Sequence, residues 1–126
     1  MGTLLDTSVL IALERGYATV PPADQLGMAA ISVSELLYGV HRSDDRHRAG
    51  RLGFVERVIA DVPVVSFDRD MARIHAHLRS AMDAAGARRN THDLIIAATA
   101  ISLGWHLGTV DHQSFAAIPG LELRYL

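Results

Sequence analysis

The sequence predicts an α/β fold in which a central parallel β-sheet lies between two layers of helices. Short apolar segments alternate along the chain with longer segments of helical periodicity, an order typical of βα units. Residues 94–103 form the most apolar helical segment and contain only two polar residues, Thr99 and Ser102, which predicts a buried helix. No repeat or linker divides the 126 residues, and this length fits a single domain over 1–126.

The first half of the chain predicts two strands, two helices and one long loop. The apolar run TLLD at 3–6 is followed by a helical pattern at 8–14. Gly and Pro residues predict a loop at 16–24. MAAIS at 28–32 is typical of a buried strand, and VSELLYGVHR at 33–42 of a helix.

The middle of the chain predicts two amphipathic helices separated by a strand. The segment 44–61 places Leu52, Val55 and Ile59 at helical spacing, and PVVSF at 63–67 predicts the third strand. A long helix is predicted at 68–86, with Gly86 past its end. Its apolar face consists of Met71, Ile74, Leu78 and Met82.

The last third predicts the buried helix and the remaining strands. The buried helix extends over 91–103, and a strand follows near 105–110. A short helix near 112–117 and a strand LELRY at 121–125 complete the chain. In a parallel sheet of this kind, ligands bind outside the carboxyl ends of the strands.

Composition narrows the class of protein but not its substrate. The chain is 49% hydrophobic and 21% charged, as expected of an ordinary globular domain. With no cysteine, disulfides, thiol catalysis and thiolate metal sites are excluded. No apolar run reaches the roughly 20 residues of a membrane helix and no signal peptide is recognised, so a cytoplasmic location is expected. The net charge of −2 is not that of a generally basic nucleic-acid binder, although all twelve basic residues are Arg.

Four acidic residues lie where the predicted strands end, and each has an ordinary structural interpretation. Asp6 follows the first strand and is a candidate helix cap. Glu35 completes the capping-box spacing Ser-Val-Ser-Glu at 32–35. Asp93 lies in the first turn of the buried helix, where the helix dipole favours a carboxylate. Asp111 follows the fourth strand and is a candidate turn residue.

These four acids nevertheless share one edge of the predicted sheet. If the strands are parallel neighbours, the carboxylates converge on one crevice, where their repulsion favours a bound cation. Oxygen ligands without His or Cys suit Mg²⁺ or Mn²⁺. Such ions polarise a phosphoryl oxygen and activate water, so the pattern predicts metal-assisted phosphodiester chemistry.

Four segments together resemble the PIN-domain ribonucleases and, more closely, the VapC toxins of bacterial toxin–antitoxin pairs. They are LLDTSVLIAL, ISVSELLYG, HDLIIAATAISLG and TVDHQSFAAIPGLEL, and the resemblance extends from Leu4 to Leu123. It implies a Mg²⁺-dependent endoribonuclease, with Mn²⁺ as a substitute, that cleaves RNA, is paired with a small antitoxin and forms a homodimer. It also implies that the metal ligands and catalytic residues are Asp6, Glu35, Asp93 and Asp111.

The sequence departs from this family at one place and leaves two alternatives open. Many relatives carry a further acid before the Phe of the last motif, where this chain has Ser114 before Phe115. That departure is the argument for a catalytically silent module that only binds RNA or a partner protein. A haloacid-dehalogenase-like phosphatase also places Asp after its first strand, but it requires a second Asp where this chain has Ser8.

Other polar residues receive structural interpretations. Thr7, Asn90 and Thr109 adjoin the acids, but capping or turn bonding is the expected role of each. Asp68 is predicted to cap a helix with Asp70 in its first turn. His75 and His77 are expected to be solvated, and His92 and His112 are assigned no catalytic role. The Arg residues of 41–51, and the pair Arg88–Arg89, are expected to be solvated, with a phosphate-guiding rim as the alternative.

Overall fold

The computed structural model describes residues 2–16 and 25–126, which form a five-stranded parallel sheet and five helices. The strands are β1 (Thr3–Leu5), β2 (Leu26–Ala29), β3 (Val64–Val65), β4 (His106–Thr109) and β5 (Leu123–Tyr125). The helices are α1 (Thr7–Glu14), α2 (Ala30–Arg42), α3 (Asp45–Asp61), α4 (Arg69–Ala84) and α5 (Thr91–Leu103). The predicted three-layer α/β architecture is therefore confirmed.

Two hydrophobic cores lie on opposite faces of the sheet, because successive side chains of a strand point to opposite sides. Leu4 packs in the core formed with α4 and α5, whereas its neighbour Leu5 packs in the core formed with α1, α2 and α3. Helix α5 supplies six buried residues, as its nearly all-round apolar sequence predicts. The predicted apolar face of α4 is confirmed, with Met71, Leu78 and Met82 buried and Ile74 partly buried.

The strand order β3-β2-β1-β4-β5 places β1 beside β4 at the centre of the sheet. The chain moves outward from β1 through β2 to β3, and then returns to the other side of β1 for β4 and β5. Leu5 pairs with Gly108, so the carboxyl ends of the two central strands are level. This reversal of direction opens a crevice beyond those ends, where ligands of doubly wound sheets bind.

The second strand and its helix begin earlier than the sequence pattern predicted. The predicted strand 28–32 is wrong in position, because Leu26 and Gly27 already pair with β1 and α2 begins at Ala30. A short apolar run such as MAAIS does not by itself distinguish a buried strand from the first turn of a buried helix. The shift places Ser32 and Glu35 inside the helix.

Two of the predicted strands are shorter than predicted, and one predicted helix is absent. Strand β3 contains two residues of the predicted 63–67, and β5 contains three of the predicted 121–125. Residues 112–117 form consecutive turns rather than a helix, with Ala117 in the left-handed region at φ 59°. The loop predicted at 16–24 lies, apart from Gly16, outside the described residues.

Candidate active site

Asp6 is the most buried carboxylate of the described part of the chain, with 2% of its surface exposed. It caps α1 by accepting the Val9 amide at 3.0 Å, so the predicted capping role is correct. It also accepts the hydroxyl groups of Ser8 at 2.6 Å and Thr109 at 2.6 Å. Burial raises the pKa of Asp6, and these three hydrogen bonds oppose the increase.

Thr109 connects Asp6 to the loop that carries Asp111. Its hydroxyl lies at the end of β4, donates to Asp6 and accepts the Asp111 amide at 2.9 Å. The predicted turn bonding of Thr109 is therefore correct, but the same hydroxyl also fixes the orientation of the Asp6 carboxylate. Because β1 and β4 end side by side, the Thr109 side chain bridges two of the four predicted acids, Asp6 and Asp111.

Asp111 is held by the residue at which the sequence departs from many PIN relatives. Ser114 donates its hydroxyl to Asp111 Oδ2 at 2.6 Å and its amide to Oδ1 at 3.2 Å. The Ser114 hydrogen bond is the main reason that the pKa of Asp111 lies below its usual value. Ser114 therefore orients Asp111 and favours its ionised form, a role that the sequence did not predict.

Glu35 does not form the predicted capping box, because α2 starts at Ala30 and has no side-chain cap. It lies instead in the second turn of α2, where its side chain faces α1. Thr7 donates its hydroxyl to Glu35 Oε1 at 2.7 Å, and the Thr7 oxygen is 3.0 Å from the buried Ser32 hydroxyl. The predicted local role of Thr7 in capping is thus replaced by a contact between helices that orients Glu35.

Asp93 lies in the first turn of α5, after the cap formed by Asn90 on the His92 amide at 2.8 Å. The predicted capping role of Asn90 is confirmed. Burial, and then the negative charges of Glu35, Asp111 and Asp6 in that order, raise the pKa of Asp93 to about 6. The other three predicted acids are therefore all close enough to act on Asp93, which is the convergence expected at the carboxyl edge of the sheet.

The four carboxylates form an open group rather than a closed cage. Within residues 2–16 and 25–126, no three His, Asp or Glu side chains are arranged to hold one metal ion. Mg²⁺ commonly uses only one or two protein carboxylates and completes its octahedral shell with water and phosphate oxygens. The all-oxygen donor set and the mutual repulsion at Asp93 fit such an ion.

The structure shows what surrounds three histidines that the sequence left without a catalytic role. His92 Nδ1 lies 3.6 Å from Glu35 Oε2, so this histidine is a neighbour of the acids. His75 was expected to be solvated, but this is wrong: its Nε2 is buried without a hydrogen-bond partner among the described residues. Burial is also the main reason that the pKa of His75 is lowered. His112 packs on Tyr125 with ring centroids 3.7 Å apart.

The remaining local predictions concern a cap and two arginines. Asp68 caps α4 by accepting the Met71 amide at 2.9 Å, as predicted. Arg89 donates to the Ala116 carbonyl at 2.8 Å and so tethers the 112–117 turns to the start of α5. Its neighbour Arg88 is exposed, with Nε 3.8 Å from Asp83 Oδ1.

Comparison with known proteins identifies the family to which this site belongs. The model of the PIN domain matches residues 3–121, a range that includes all four acids. The chain belongs to the PIN domain family. The resemblance to PIN-domain ribonucleases, predicted from four short motifs, is therefore confirmed at the level of the family.

Several relatives of this PIN domain carry the name ribonuclease VapC. Ribonuclease VapC1 of Rickettsia felis is 35% identical over 98% of this chain and 95% of its own length. Ribonuclease VapC5 of Mycobacterium tuberculosis is 38% identical over 93% of this chain and 87% of its own. These similarities place the chain with the VapC ribonuclease toxins and support a nuclease activity.

Solved structures share the fold over nearly the whole chain. VapBC-5 of Mycobacterium tuberculosis, a member of the VapBC family of toxin–antitoxin systems, matches with a TM-score of 0.81 and 34% identity, covering 99% of this chain and 97% of that one. VapBC2 of Rickettsia felis, solved with a promoter DNA fragment, matches with a TM-score of 0.88 at 20% identity over 100% and 99% of the two chains. At that identity the second match supports the fold alone. None of the described helices is long and apolar enough to cross a membrane.

Proposed function

We propose that this PIN domain is a Mg²⁺-dependent endoribonuclease that acts as the toxin of a type II toxin–antitoxin pair. The observation that carries the metal dependence is the increase in the Asp93 pKa to about 6, caused by burial and by three neighbouring carboxylates. A cation at this edge of the sheet would relieve that repulsion. Mn²⁺, with the same preference for oxygen ligands, is the expected substitute.

In this proposal the four carboxylates are held in place to different extents. Asp6 already accepts three hydrogen bonds and is fixed by α1 and β4, so it anchors the site rigidly. Asp111 is fixed by Ser114 and Glu35 by Thr7, which leaves at least one lone pair of each carboxylate unused. Among the described residues, burial and neighbouring charges are the main causes of the Asp93 pKa, and we assign both of its oxygens to the ion.

These residues would bind and orient an ion at the carboxyl edge of β1 and β4. When bound, Mg²⁺ polarises a phosphoryl oxygen and lowers the pKa of a coordinated water, which is the chemistry that phosphodiester hydrolysis requires. The carboxylates determine where that ion lies, and Thr7, Thr109 and Ser114 hold them in position. RNA is the proposed substrate, because the relatives that match nearly the whole chain are named ribonucleases.

The proposed partners follow from the relatives. The matched structures of VapBC-5 and VapBC2 are complexes of toxin–antitoxin systems. We infer that this chain likewise binds a small cognate antitoxin and forms a homodimer. Copurification of the chain with the product of the adjacent short reading frame tests the first inference, and sedimentation of the isolated chain tests the second.

The direct test is RNA cleavage by the purified chain. We expect cleavage with Mg²⁺ or Mn²⁺, no cleavage with a chelator, and at least a hundredfold loss for Asp6→Asn and Asp93→Asn. Asp70→Asn is the matched control, because Asp70 is a first-turn acid of α4 on another surface. Undiminished cleavage by both site variants, or in the chelator, would contradict the proposal.

A second candidate is a silent PIN module that binds RNA or a partner without cleavage. The open arrangement of the carboxylates favours it, as does Ser114 in place of a further acid. Such a module would retain RNA affinity when the acids become amides and would show no affinity for Mg²⁺. The cleavage and metal-binding measurements therefore distinguish the two candidates.

A further inference from the structure

Three cavities that share lining residues extend from Glu35 along α1 and α3. A small cavity of about 70 Å³ is lined by Glu35 and Ile11 at one end and by Arg15 and Arg51 at the other. A larger cavity of about 540 Å³ shares Arg15 and Arg51 and continues to Arg46 and Arg57. A third cavity shares Glu35 and Ile11 with the first and is also lined by Thr7 and His92. We name the part lined by Arg15, Arg46, Arg51 and Arg57 the arginine groove.

The arginine groove is positive in a chain whose net charge is −2. Four Arg residues line it, and Glu14, the one acid on its described walls, lies with Oε1 3.7 Å from Arg51 Nε. The acids of the neighbouring sequence are engaged on α3 itself: Asp44 bonds His47 and Asp45 bonds Arg48. The two acids at the start of α3 are therefore paired locally, and the helix presents Arg46, Arg51 and Arg57 to the groove.

Two glycines along this path have no packing explanation in the described residues. Gly39 of α2 and Gly50 of α3 line the cavities, and a Cβ added to either would meet no described atom within 4 Å. Gly in a helix interior is destabilising by about 0.5–1 kcal/mol relative to Ala. Glycine also permits a ligand to approach the backbone closely. A ligand that lies in the groove would therefore explain both glycines.

We propose that the arginine groove binds the sugar–phosphate backbone of the RNA strand on one side of the scissile bond. This rests on the proposed function, since the arginine groove adjoins the small cavity that Glu35 lines. The planar guanidinium group suits phosphate oxygens, and one positive side chain per contacted phosphate gives affinity without reading the base. An acidic segment of a protein partner is the other polyanion that four Arg residues attract, and the experiment separates the two.

The test compares two double variants that remove the same charge from different faces. Arg46→Gln with Arg57→Gln alters the groove, whereas Arg69→Gln with Arg73→Gln alters exposed positions of α4, on the opposite face of the sheet. Binding of a fluorescent single-stranded RNA is measured in a chelator, which prevents cleavage, over a series of salt concentrations. The groove variant is expected to bind at least tenfold more weakly and to lower the slope of log K against log salt by about 1.4, from ~0.7 per lost contact on a single strand.

Two results would overturn the proposal. One is an equal salt slope for the groove and α4 variants. The other is unchanged RNA binding by the groove variant together with weakened binding of the cognate antitoxin, which would assign the groove to the protein partner. Failure of the proposed function gives a different pattern, in which wild-type protein binds RNA through these arginines but does not cleave it with Mg²⁺.

Discussion

The hydroxyl of Thr109 lies 2.6 Å from Oδ2 of Asp6, a buried hydrogen bond between residues 103 positions apart in the chain. It connects the ends of β1 and β4, the two central strands of the sheet, at the point where the strand order reverses. An ionised carboxylate at this depth is tolerated only when donors surround it. This contact therefore links the stability of the fold to the geometry of the active site.

Replacing Thr109 with Val should destabilise the protein by about 1–3 kcal/mol, because a buried carboxylate loses a donor while the volume is nearly unchanged. The loss should decrease at acid pH, since protonated Asp6 needs fewer donors. Urea unfolding at pH 5 and pH 8 measures both effects. Thr99→Val is the matched control, because Thr99 is equally buried but donates to the helix carbonyl of Ile95. Equal losses in the free energy of unfolding for the two variants would show that the hydrogen bond to Asp6 stabilises the protein no more than an ordinary helix contact does.

Asp93→Asn should stabilise the protein above pH 6 in the absence of metal. The folded-state pKa of about 6 exceeds the usual 3.8, so the folded protein binds more protons between these values. Its free energy of unfolding therefore falls as pH rises through this window. The variant should gain about 1–2 kcal/mol at pH 7, after allowance for solvent screening of a half-buried group, and nothing below pH 4.

Thermal unfolding in a chelator from pH 4 to 8 measures this gain. Asp70→Asn is the control, since it also removes a first-turn acid but from the start of α4. A stability difference between wild type and Asp93→Asn that does not change with pH would refute the repulsion among the four acids.

Thr7→Val should weaken catalysis without unfolding the protein. The variant leaves Glu35 Oε1 without its 2.7 Å hydrogen bond, so the carboxylate is less well oriented toward α1. Removing such a supporting contact typically reduces metal affinity or activity 10- to 100-fold. Thr7→Ser retains the hydroxyl and should recover most of the activity in the RNA cleavage assay. If Thr7→Val were as active as the wild type, Thr7 would not be needed to orient Glu35 for catalysis.

Ser114→Ala should raise the pKa of Asp111 toward its usual value, because the Ser114 hydroxyl is the main reason that this pKa is lowered. The variant should also bind Mg²⁺ more weakly, since Asp111 loses one of the contacts that orient it. Carbon-detected NMR titration of the Asp side chains follows the pKa, and Ser80→Ala on the exposed surface of α4 serves as the control. An unchanged Asp111 titration would mean that Ser114 does not hold this acid.

The sequence predicted the fold and the location of the acids because both depend on local patterns. Apolar periodicity identified the strands and helices, and the carboxyl ends of parallel strands fixed where Asp6 and Asp111 lie. The predicted start of α2 was wrong because the apolar run Met28–Ile31 is compatible with either a buried strand or the first turn of a buried helix. This error produced the incorrect capping box at Glu35.

The contacts that support the acids were not predictable in the same way. The pairs Thr7–Glu35 and Thr109–Asp6 join residues that are distant in sequence, so no spacing rule reveals them. Ser114 was noticed as a departure from a family pattern, but its bond to Asp111 depends on turns that replaced a predicted helix. Likewise, the arginine groove is formed only when α1 and α3 come together.

Titration of the purified protein with Mg²⁺ and Mn²⁺ by calorimetry tests the four-carboxylate site most directly, because it needs neither RNA nor antitoxin. The wild type and Asp70→Asn should bind at least one ion per chain. Asp93→Asn and Asp6→Asn should bind at least tenfold more weakly while remaining folded by circular dichroism. Equal affinity in the wild type and Asp93→Asn, or a folded wild type that binds neither ion, would contradict the account.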